Sequence, residues 1–309
     1  MTRIAVVGMG TWGRQLIRVF DDLADVVLCC NRGDPAAVEW LRREYPTIRA
    51  ASSAEVAFAD PSVDAVVIAT PIPTHAPLAI AALAAGKHVF VEKPLATSGF
   101  EARRVVEAAE ASGRTLFVGH TFLYDAAFEA LHGLAERDPI ETLELSWLKY
   151  GTFGEPLAWN LLSHEVALAT WLVGRAPVLR IVERRSEQTP TDRLVVELDF
   201  GGEGPSGHIE IDRVHPEKVK TARFRTRSGR DYRWRDGGLE RLRGGRAPER
   251  LVEHSEETLA REAAAFIEAV SSGRPSRSDG PFAVAVVDVI EPVATALEVA
   301  IPAVAEPIR

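Results

Sequence analysis

The first 119 residues constrain the fold most strongly, because short apolar runs alternate with helical patterns throughout them. We predict strands at 3–7, 26–30, 48–50, 64–69, 88–91 and 116–118, with helices between them. Strands joined by helices run parallel, with right-handed crossovers. The sequence therefore predicts a doubly wound parallel sheet in an α/β domain over residues 1–119.

The predicted helix ends fit this division. Asp34 followed by Pro35 predicts an N-cap with proline at the first helical position. Thr74 is expected to cap a helix that stops at Gly86. Ser98 and Glu101 have the spacing of a capping box, which predicts a helix that begins there and ends at Gly113.

The pattern changes after Gly119. Helical stretches at about 122–136 and 157–173 bracket a strand at 141–150, and residues 178–234 are mostly strand-like. Two helical patterns finish the chain. We therefore predict a second, α+β domain over residues 120–309. Its open sheet is expected to be mixed or antiparallel, with about five or six strands.

Composition excludes several classes of protein. A net charge of -8 over 309 residues argues against nucleic acid or an anionic membrane as a partner. No apolar stretch is expected to approach the roughly 20 residues that span a bilayer, and no signal peptide is recognised. The adjacent Cys29 and Cys30 favour neither a disulfide nor a metal site. These features indicate a cytoplasmic protein without a metal.

A glycine-rich turn follows the first strand and opens a helix. It has the pattern Gly8-x-Gly10-x-x-Gly13, with Thr11 and Trp12 inside it. The pattern alone is weak, and a purely structural turn is the alternative, but the strand–turn–helix context favours dinucleotide binding. The glycines permit a tight turn, and the helix N-terminus favours the pyrophosphate anion.

The end of the second strand bears on the choice of cofactor. An NAD-preferring protein usually has an acidic residue here, whereas this chain has Asn31 and Arg32. A guanidinium pairs well with a 2′-phosphate, so the sequence favours NADP slightly over NAD. The choice stays open, since Asp34 is nearby and Arg32 can equally stack on adenine.

A third motif follows the fifth predicted strand. Glu92, Lys93 and Pro94 come directly after an apolar run, so a carboxylate and a cation lie at a strand end. A lysine there, within a nucleotide-binding half, indicates hydride chemistry on an alcohol or carbonyl.

With these motifs placed, the chain resembles the Gfo/Idh/MocA family along nearly its full length. The resemblance rests on the glycine turn at 8–13, on Ala69-Thr70-Pro71-Ile72-Pro73-Thr74-His75, and on segment 82–95, which contains Glu92-Lys93-Pro94. Segments 118–124 and 159–165 are similar to the branch that contains UDP-N-acetylglucosamine 3-dehydrogenases. The resemblance implies a Rossmann domain followed by an α+β domain whose sheet forms homodimers or homotetramers.

The resemblance also implies residue roles. Lys93 corresponds to the lysine near the nicotinamide and the reacting oxygen, and His164 to the usual acid/base. Four residues would line the cofactor groove: Thr70, Pro71, His75 and Glu92. The family commonly has Asp four residues before the histidine, whereas this chain has Asn160, which supplies no negative charge but can orient a substrate hydroxyl. His120 and Tyr124 are candidates for substrate contact, with a structural role as the alternative.

These observations predict an NAD(P)-dependent oxidoreductase that transfers hydride to or from a sugar, nucleotide-sugar or cyclitol. Lys93 would polarise the oxygen and His164 would move the proton. Two alternatives stay open. One is a reductase of an imine or a biliverdin-like substrate, and the other is a non-catalytic NAD(P)-binding regulator.

Overall fold

The computed structural model describes residues 1–151, 153–253 and 257–298. The first domain contains a six-stranded parallel sheet in the order β3-β2-β1-β4-β5-β6. Its strands are β1 (Arg3–Val7), β2 (Asp25–Cys30), β3 (Arg49–Ala51), β4 (Ala65–Ile68), β5 (His88–Glu92) and β6 (Leu116–Gly119). Its helices are α1 (Thr11–Leu23), α2 (Pro35–Glu44), α3 (Ala54–Ala59), α4 (His75–Ala84) and α5 (Gly99–Ser112). The predicted doubly wound sheet is confirmed.

The sheet is buried on both faces, which explains its apolar strands. Ile4 and Val6 of β1 pack in one hydrophobic cluster with residues of α1, whereas Ala5 and Val7 pack in the other, with residues of α4 and α5. Successive side chains of a strand point to opposite faces. Helices therefore cover both faces, as a parallel sheet requires.

Two of the three predicted helix caps are confirmed. Asp34 accepts a hydrogen bond from the Ala36 backbone N–H at 2.9 Å, and the Ser98 hydroxyl accepts one from Glu101 at 3.2 Å. Thr74 occupies the N-cap position of α4, as predicted, but its side chain makes no capping hydrogen bond there, and Thr74 also ends a 3₁₀ turn. Its hydroxyl lies instead 2.6 Å from Thr70 Oγ1 and 2.7 Å from the Pro71 carbonyl.

The second sheet is larger than predicted. Within the described residues it has eight strands, in the order β14-β13-β12-β11-β7-β10-β9-β8. The strands are β7 (Ile140–Leu148), β8 (Val178–Arg185), β9 (Arg193–Asp199), β10 (Ser206–Asp212), β11 (Val219–Thr226), β12 (Asp231–Arg235), β13 (Gly238–Arg243) and β14 (Arg246–Val252). The pair β7–β10 is parallel and its other pairs are antiparallel, so the predicted mixed sheet is confirmed. The estimate of five or six strands was wrong, because the Gly- and Arg-rich segment at 236–250 forms most of two further strands.

Among the described residues, four α-helices follow the first domain in the chain, and two of them pack against its helices. They are α6 (Ala126–Ala135), α7 (Ser163–Val173), α8 (Thr258–Ser272) and α9 (Gly280–Glu298). α8 packs against α1, and α9 packs against α5 and α7. The chain leaves the parallel sheet at Gly119, where the predicted second domain begins. The domain boundary at that point stays a prediction. Helices α8 and α9, which come after the boundary, pack against helices of the first domain.

α9 is long and apolar enough to cross a membrane by length and composition, with a mean hydropathy of 1.6. The expectation that no stretch approaches such a length was therefore wrong. The helix buries Val286, Val287 and Ile290 in the hydrophobic cluster shared with the second domain. Its apolar character is accounted for by this packing between helices and sheet.

Candidate active site

The carboxyl edge of the first sheet gathers the predicted site residues. The glycine turn follows β1, Thr70 follows β4, Lys93 follows β5 and His120 follows β6. The strand order reverses between β1 and β4, and ligands of doubly wound sheets bind at such a switch point. The topology thus places these residues along one edge.

The glycine turn has the shape that a close backbone approach requires. Gly8 has a φ of +103°, and a Cβ there would lie 2.3 Å from the Ala69 carbonyl oxygen. A Cβ at Gly13 would lie 2.0 Å from the Gly8 carbonyl oxygen. Gly10 faces open space. Gly8 and Gly13 allow the turn to pack closely against α1 and the end of β4. Gly10 leaves room for a ligand at the N-terminus of α1.

A cavity of about 1020 Å³ lies in front of this turn. It is lined by nine of the residues predicted to bind cofactor: Gly8, Gly10, Thr11, Trp12, Gly13, Asn31, Arg32, Thr70 and Pro71. Its size and its glycine cradle fit a dinucleotide. The cavity continues from the end of β2 to the end of β4.

The part of the cavity near β2 contains polar groups that the sequence did not single out. Ser52, Ser53 and Glu55 line it beside Asn31 and Arg32. A hydrogen bond from Ser53 lowers the pKa of Glu55, and the charge of Arg32 contributes to the shift. These residues follow the short strand β3. They come close to Asn31 and Arg32 because β3 pairs with β2 in the sheet.

Trp12 connects the glycine turn to a buried carboxyl group. Its indole N–H donates a hydrogen bond to Glu92 Oε1 at 2.5 Å. Burial raises the pKa of Glu92 to about 7, although the Trp12 bond and the charge of Lys93 oppose the shift. The Glu262 carboxyl of α8 is also buried, accepts a hydrogen bond from the Thr121 hydroxyl, and has a pKa well above its usual value, through burial and the charge of Glu92.

His75 lies behind the cavity wall and does not line it. Its Nδ1 is 2.8 Å from the Pro94 carbonyl oxygen and its Nε2 is 2.7 Å from the Thr70 carbonyl oxygen. The ring therefore ties the segment after β4 to the segment after β5. Glu92 and Lys93 lie outside the cavity lining as well, at the end of β5.

Lys93 joins the two parts of the site. Its ammonium donates to the Asn160 carbonyl oxygen at 2.9 Å and lies 3.3 Å from Asn160 Oδ1. Asn160 belongs to a π-helical turn, Ala158–Leu162, that leads directly into α7. Burial lowers the pKa of Lys93 to about 8, against the opposing charge of Glu92. The amide predicted to contact substrate thus holds the lysine.

His164 lies in the first turn of α7, four residues after Asn160. Its ring is 5.3 Å from the Phe122 ring centroid and 4.7 Å from that of Trp147. Burial lowers the pKa of His164 well below its usual value, and the charges of Lys93 and Lys220 lower it further. The imidazole is therefore neutral at pH 7 and able to accept a proton.

Lys220 is a residue that sequence reasoning missed. Its Nζ lies 3.2 Å from the Phe122 ring centroid and 3.4 Å from that of Trp147. Glu165 Oε1 is 3.4 Å away. Burial lowers the pKa of Lys220 to about 7. Strand register supplied the missing signal, because Lys220 of β11 pairs directly with Trp147 of β7.

The two other candidates for substrate contact have different surroundings. His120 is buried edge-on against Phe282, its ring nitrogens have no hydrogen-bond partner among the described residues, and burial lowers its pKa to about 3. Lys93 is near enough to contribute to that shift. Tyr124 stacks on Phe117 in the core of the first domain. Of the two, His120 is beside the reacting groups and Tyr124 is packed away from them.

The arrangement places a cation and a neutral base next to each other. Lys93 can stabilise negative charge on an oxygen, and His164 can take or return that oxygen's proton. The cavity that fits a dinucleotide reaches Thr70, Pro71 and Glu155, and the charge of Glu155 acts on Lys93. The site therefore has the parts that oxidation of an alcohol or reduction of a carbonyl needs.

Comparison with known proteins agrees with this geometry. Residues 2–120 match the Gfo/Idh/MocA family model, described as an oxidoreductase family with an NAD-binding Rossmann fold. The resemblance drawn from the motifs is confirmed. Inositol 2-dehydrogenase of Acidothermus cellulolyticus is 32% identical over 202 residues, which are 64% of this chain and 52% of that protein. The uncharacterized oxidoreductase YdgJ of Escherichia coli is 43% identical over 94 residues, 30% of this chain and 27% of that protein.

The chain thus spans about half the length of the inositol 2-dehydrogenase and about a quarter of the length of YdgJ.

Solved structures match the chain over nearly its whole length. UDP-N-acetylglucosamine 3-dehydrogenase of Acidithiobacillus ferrooxidans has a TM-score of 0.85 at 24% identity, with 97% of each chain covered. GenD2 from gentamicin A biosynthesis, in complex with NAD, has a TM-score of 0.77 at 26% identity and covers 94% of this chain and 92% of its own.

Proposed function

We propose that the protein transfers hydride between NAD(P) and a hydroxyl or keto carbon of a polyhydroxylated small molecule, since its residues 2–120 match the model of the Gfo/Idh/MocA family of NAD-binding oxidoreductases. The class comprises sugars, nucleotide-sugars and cyclitols. One observation carries the proposal. The Lys93 ammonium, at the end of β5, is bonded to Asn160 one helical turn before His164.

In the oxidative direction, His164 accepts the proton of the substrate hydroxyl while Lys93 stabilises the negative charge that develops on the oxygen. When bound, the nicotinamide supplies the acceptor for the hydride. The rings of Phe122 and Trp147 pack against the imidazole. In the reductive direction Lys93 polarises the carbonyl, and the small fraction of His164 that is protonated donates its proton to the alkoxide.

The substrate class is supported by relatives named as inositol 2-dehydrogenases. Asn160 has a supporting role in this proposal, since it orients Lys93 through both its carbonyl and its side-chain oxygen. His120 is proposed to contact substrate through an unpartnered ring nitrogen.

For the cofactor we propose a preference for NADP over NAD. Arg32, Ser52 and Ser53 line the cavity together and offer hydrogen bonds and positive charge to a 2′-phosphate. Glu55 opposes this preference, since its carboxylate lines the same end of the cavity. Comparing kcat/KM with NADPH and NADH tests the proposal, and Arg32→Ala should reduce the NADPH preference. A strong preference of the unaltered protein for NADH would contradict it.

Hydride transfer is tested by following nicotinamide absorbance with a panel of sugars, keto-sugars, cyclitols and cyclic imines. Lys93→Met and His164→Asn should each lower kcat by about 100-fold or more, the range for a positioned acid or base. Cofactor affinity should change little. Lys218→Met provides the matched control, because Lys218 is exposed on the turn between β10 and β11. Full turnover in either site variant would remove that residue from the mechanism.

A further inference from the structure

We propose that the substrate carries an anionic group, a carboxylate or a phosphate, which Lys149 binds beside Trp147. This inference rests on the proposed function, because it specifies the substrate of the same site. It follows from the placement of three lysines around His164 and from the distribution of their counter-charges.

Strand alternation directs Lys149 into the site. Leu143, Leu145 and Trp147 of β7 face the helices, and Lys149 continues that series directly after the strand. The Lys149 Nζ lies 5.9 Å from the Trp147 ring centroid, and that ring lies 4.7 Å from the ring of His164. A group bound by Lys149 would therefore lie on the other side of the Trp147 ring from His164, or beside that ring.

Of the three lysines, Lys149 is the one without a carboxylate partner among the described residues. Lys93 follows Glu92 and is bonded to Asn160, and Lys220 lies 3.4 Å from Glu165. Lys149 forms no ion pair or side-chain hydrogen bond with any residue that the structure describes. Its charge nevertheless reaches the reacting groups, since it contributes to lowering the pKa of both Lys93 and His164.

Other groups near Lys149 do not supply the missing negative charge. The buried Arg213, which follows the neighbouring strand β10, donates to the Glu155 carbonyl oxygen, and the Glu155 side chain is exposed at the cofactor cavity. Asp212 accepts a hydrogen bond from the Val214 backbone N–H, and its negative charge acts on Arg193. His120 contributes unpartnered ring nitrogens to the same cluster. The described residues thus give Lys149 no carboxylate partner, whereas Lys93 has the charge of Glu92 nearby and Lys220 lies beside Glu165.

The charge of Lys149 discriminates between substrates. A carboxylate or phosphate would pair with Lys149 in a partly buried setting, where charge-assisted hydrogen bonds are stronger than at the surface. A neutral sugar or cyclitol can accept a hydrogen bond from the ammonium, but it brings no opposite charge and leaves the cation without an ion pair. An acidic sugar, an acidic carbocycle or a sugar phosphate therefore fits the site better than its neutral counterpart.

The test compares matched ligands by calorimetry on the protein loaded with NADPH or NAD. The neutral arm uses glucose and myo-inositol, the carboxylate arm glucuronate and quinate, and the phosphate arm glucose 6-phosphate. We expect one acidic arm to bind at least tenfold more tightly than the neutral arm, and the arm that binds identifies the source of the anion. Lys149→Met should remove that advantage, whereas Lys149→Arg and the exposed control Lys218→Met should retain it.

Equal or tighter binding of the neutral ligands would overturn the inference. So would failure of every acidic ligand to bind, or an unchanged preference in a Lys149→Met protein that unfolds at the normal temperature. The readout separates this inference from the proposed function. Acidic ligands that bind without turnover support the anion site and count against hydride transfer, whereas turnover of neutral sugars alone supports hydride transfer and contradicts the anion site.

Discussion

At the scale of single residues, the ionisation of Lys93 and His164 follows from burial. Each side chain lies where its charged form is poorly solvated, and neighbouring lysines disfavour a further positive charge. At pH 7 the His164 imidazole is therefore neutral, and the Lys93 side chain is largely protonated. This pairing favours proton abstraction from an alcohol.

The first prediction concerns the pH dependence of alcohol oxidation. Because Lys93 must be protonated and its pKa is about 8, kcat/KM should fall as pH rises through about 8. His164 must be neutral, and its pKa lies well below the usual value of 6.5, so the acidic limb should lie below pH 6.5. Initial rates across pH measure both limbs. Constant kcat/KM up to pH 10 would exclude Lys93 as the titrating group.

The second prediction concerns Asn160. A carboxylate at this position would add negative charge beside the Lys93 ammonium and one helical turn before His164. Opposite charge stabilises the protonated form of both groups, commonly by about one to three pKa units at contact distance. Asn160→Asp should therefore move both limbs of the profile to higher pH. Asn160→Gln preserves the neutral amide and should leave them near their original positions.

At the scale of elements, α8 packs against the first domain and contributes to its hydrophobic core. Its Phe266 is fully buried and packs edge-on against Phe20, Phe90 and Phe117 at centroid distances of 5.7 to 6.0 Å. The same helix carries Glu262, which lies near Glu92 at the end of β5. A helix from the end of the chain thus supports the strand that presents Lys93.

The third prediction tests that support. Phe266→Ala should lower the free energy of unfolding by about 3 to 5 kcal/mol, since it removes a fully buried ring and leaves a cavity. Urea denaturation measures the change. Phe100→Ala is the matched control, because Phe100 is 68% exposed and its loss should cost about 0.5 kcal/mol or less. Similar values for the two variants would show that α8 contributes little to the core.

At the scale of the whole molecule, the face of the second sheet opposite the helices is charged from edge to edge. One row of paired residues crosses all eight strands: Arg180, Glu197, His208, Glu144, Arg223, Arg233, Glu240 and Arg250. Ion pairs link Arg180 to Glu197 and Arg233 to Glu240. Such a face can pair with a second copy through complementary charges.

The fourth prediction follows from the proposal that the protein is a homodimer or homotetramer through this sheet. An interface rich in charge is screened by salt, so dissociation should increase at high ionic strength. Light scattering after size-exclusion chromatography measures the mass. Arg223→Glu should shift the protein towards the monomer, whereas Lys218→Glu, which makes the same charge change outside the row, should not. A monomeric protein at low salt would contradict the proposal.

Much of this protein was determined by its sequence alone. The alternation of apolar runs and helices gave the parallel sheet, and the glycine turn gave the cofactor edge. Asp34 and Ser98 gave helix starts. These features are local, because a strand's period, a cap or a positive φ depends on residues a few positions apart. Thr74 stands before α4 as predicted, but its hydroxyl bonds to Thr70 and Pro71 in the preceding segment and does not cap the helix.

Only the tertiary structure decided what surrounds the reacting groups. The contact of Lys93 with Asn160, the approach of Lys220 and Lys149 to His164, and the approach of Glu262 to Glu92 join residues far apart in the chain. Pattern cannot predict these contacts, because strand order, helix packing and desolvation arise when separate elements meet. The residue types were set by the sequence, whereas their ionisation and their partners were set by burial in the folded chain.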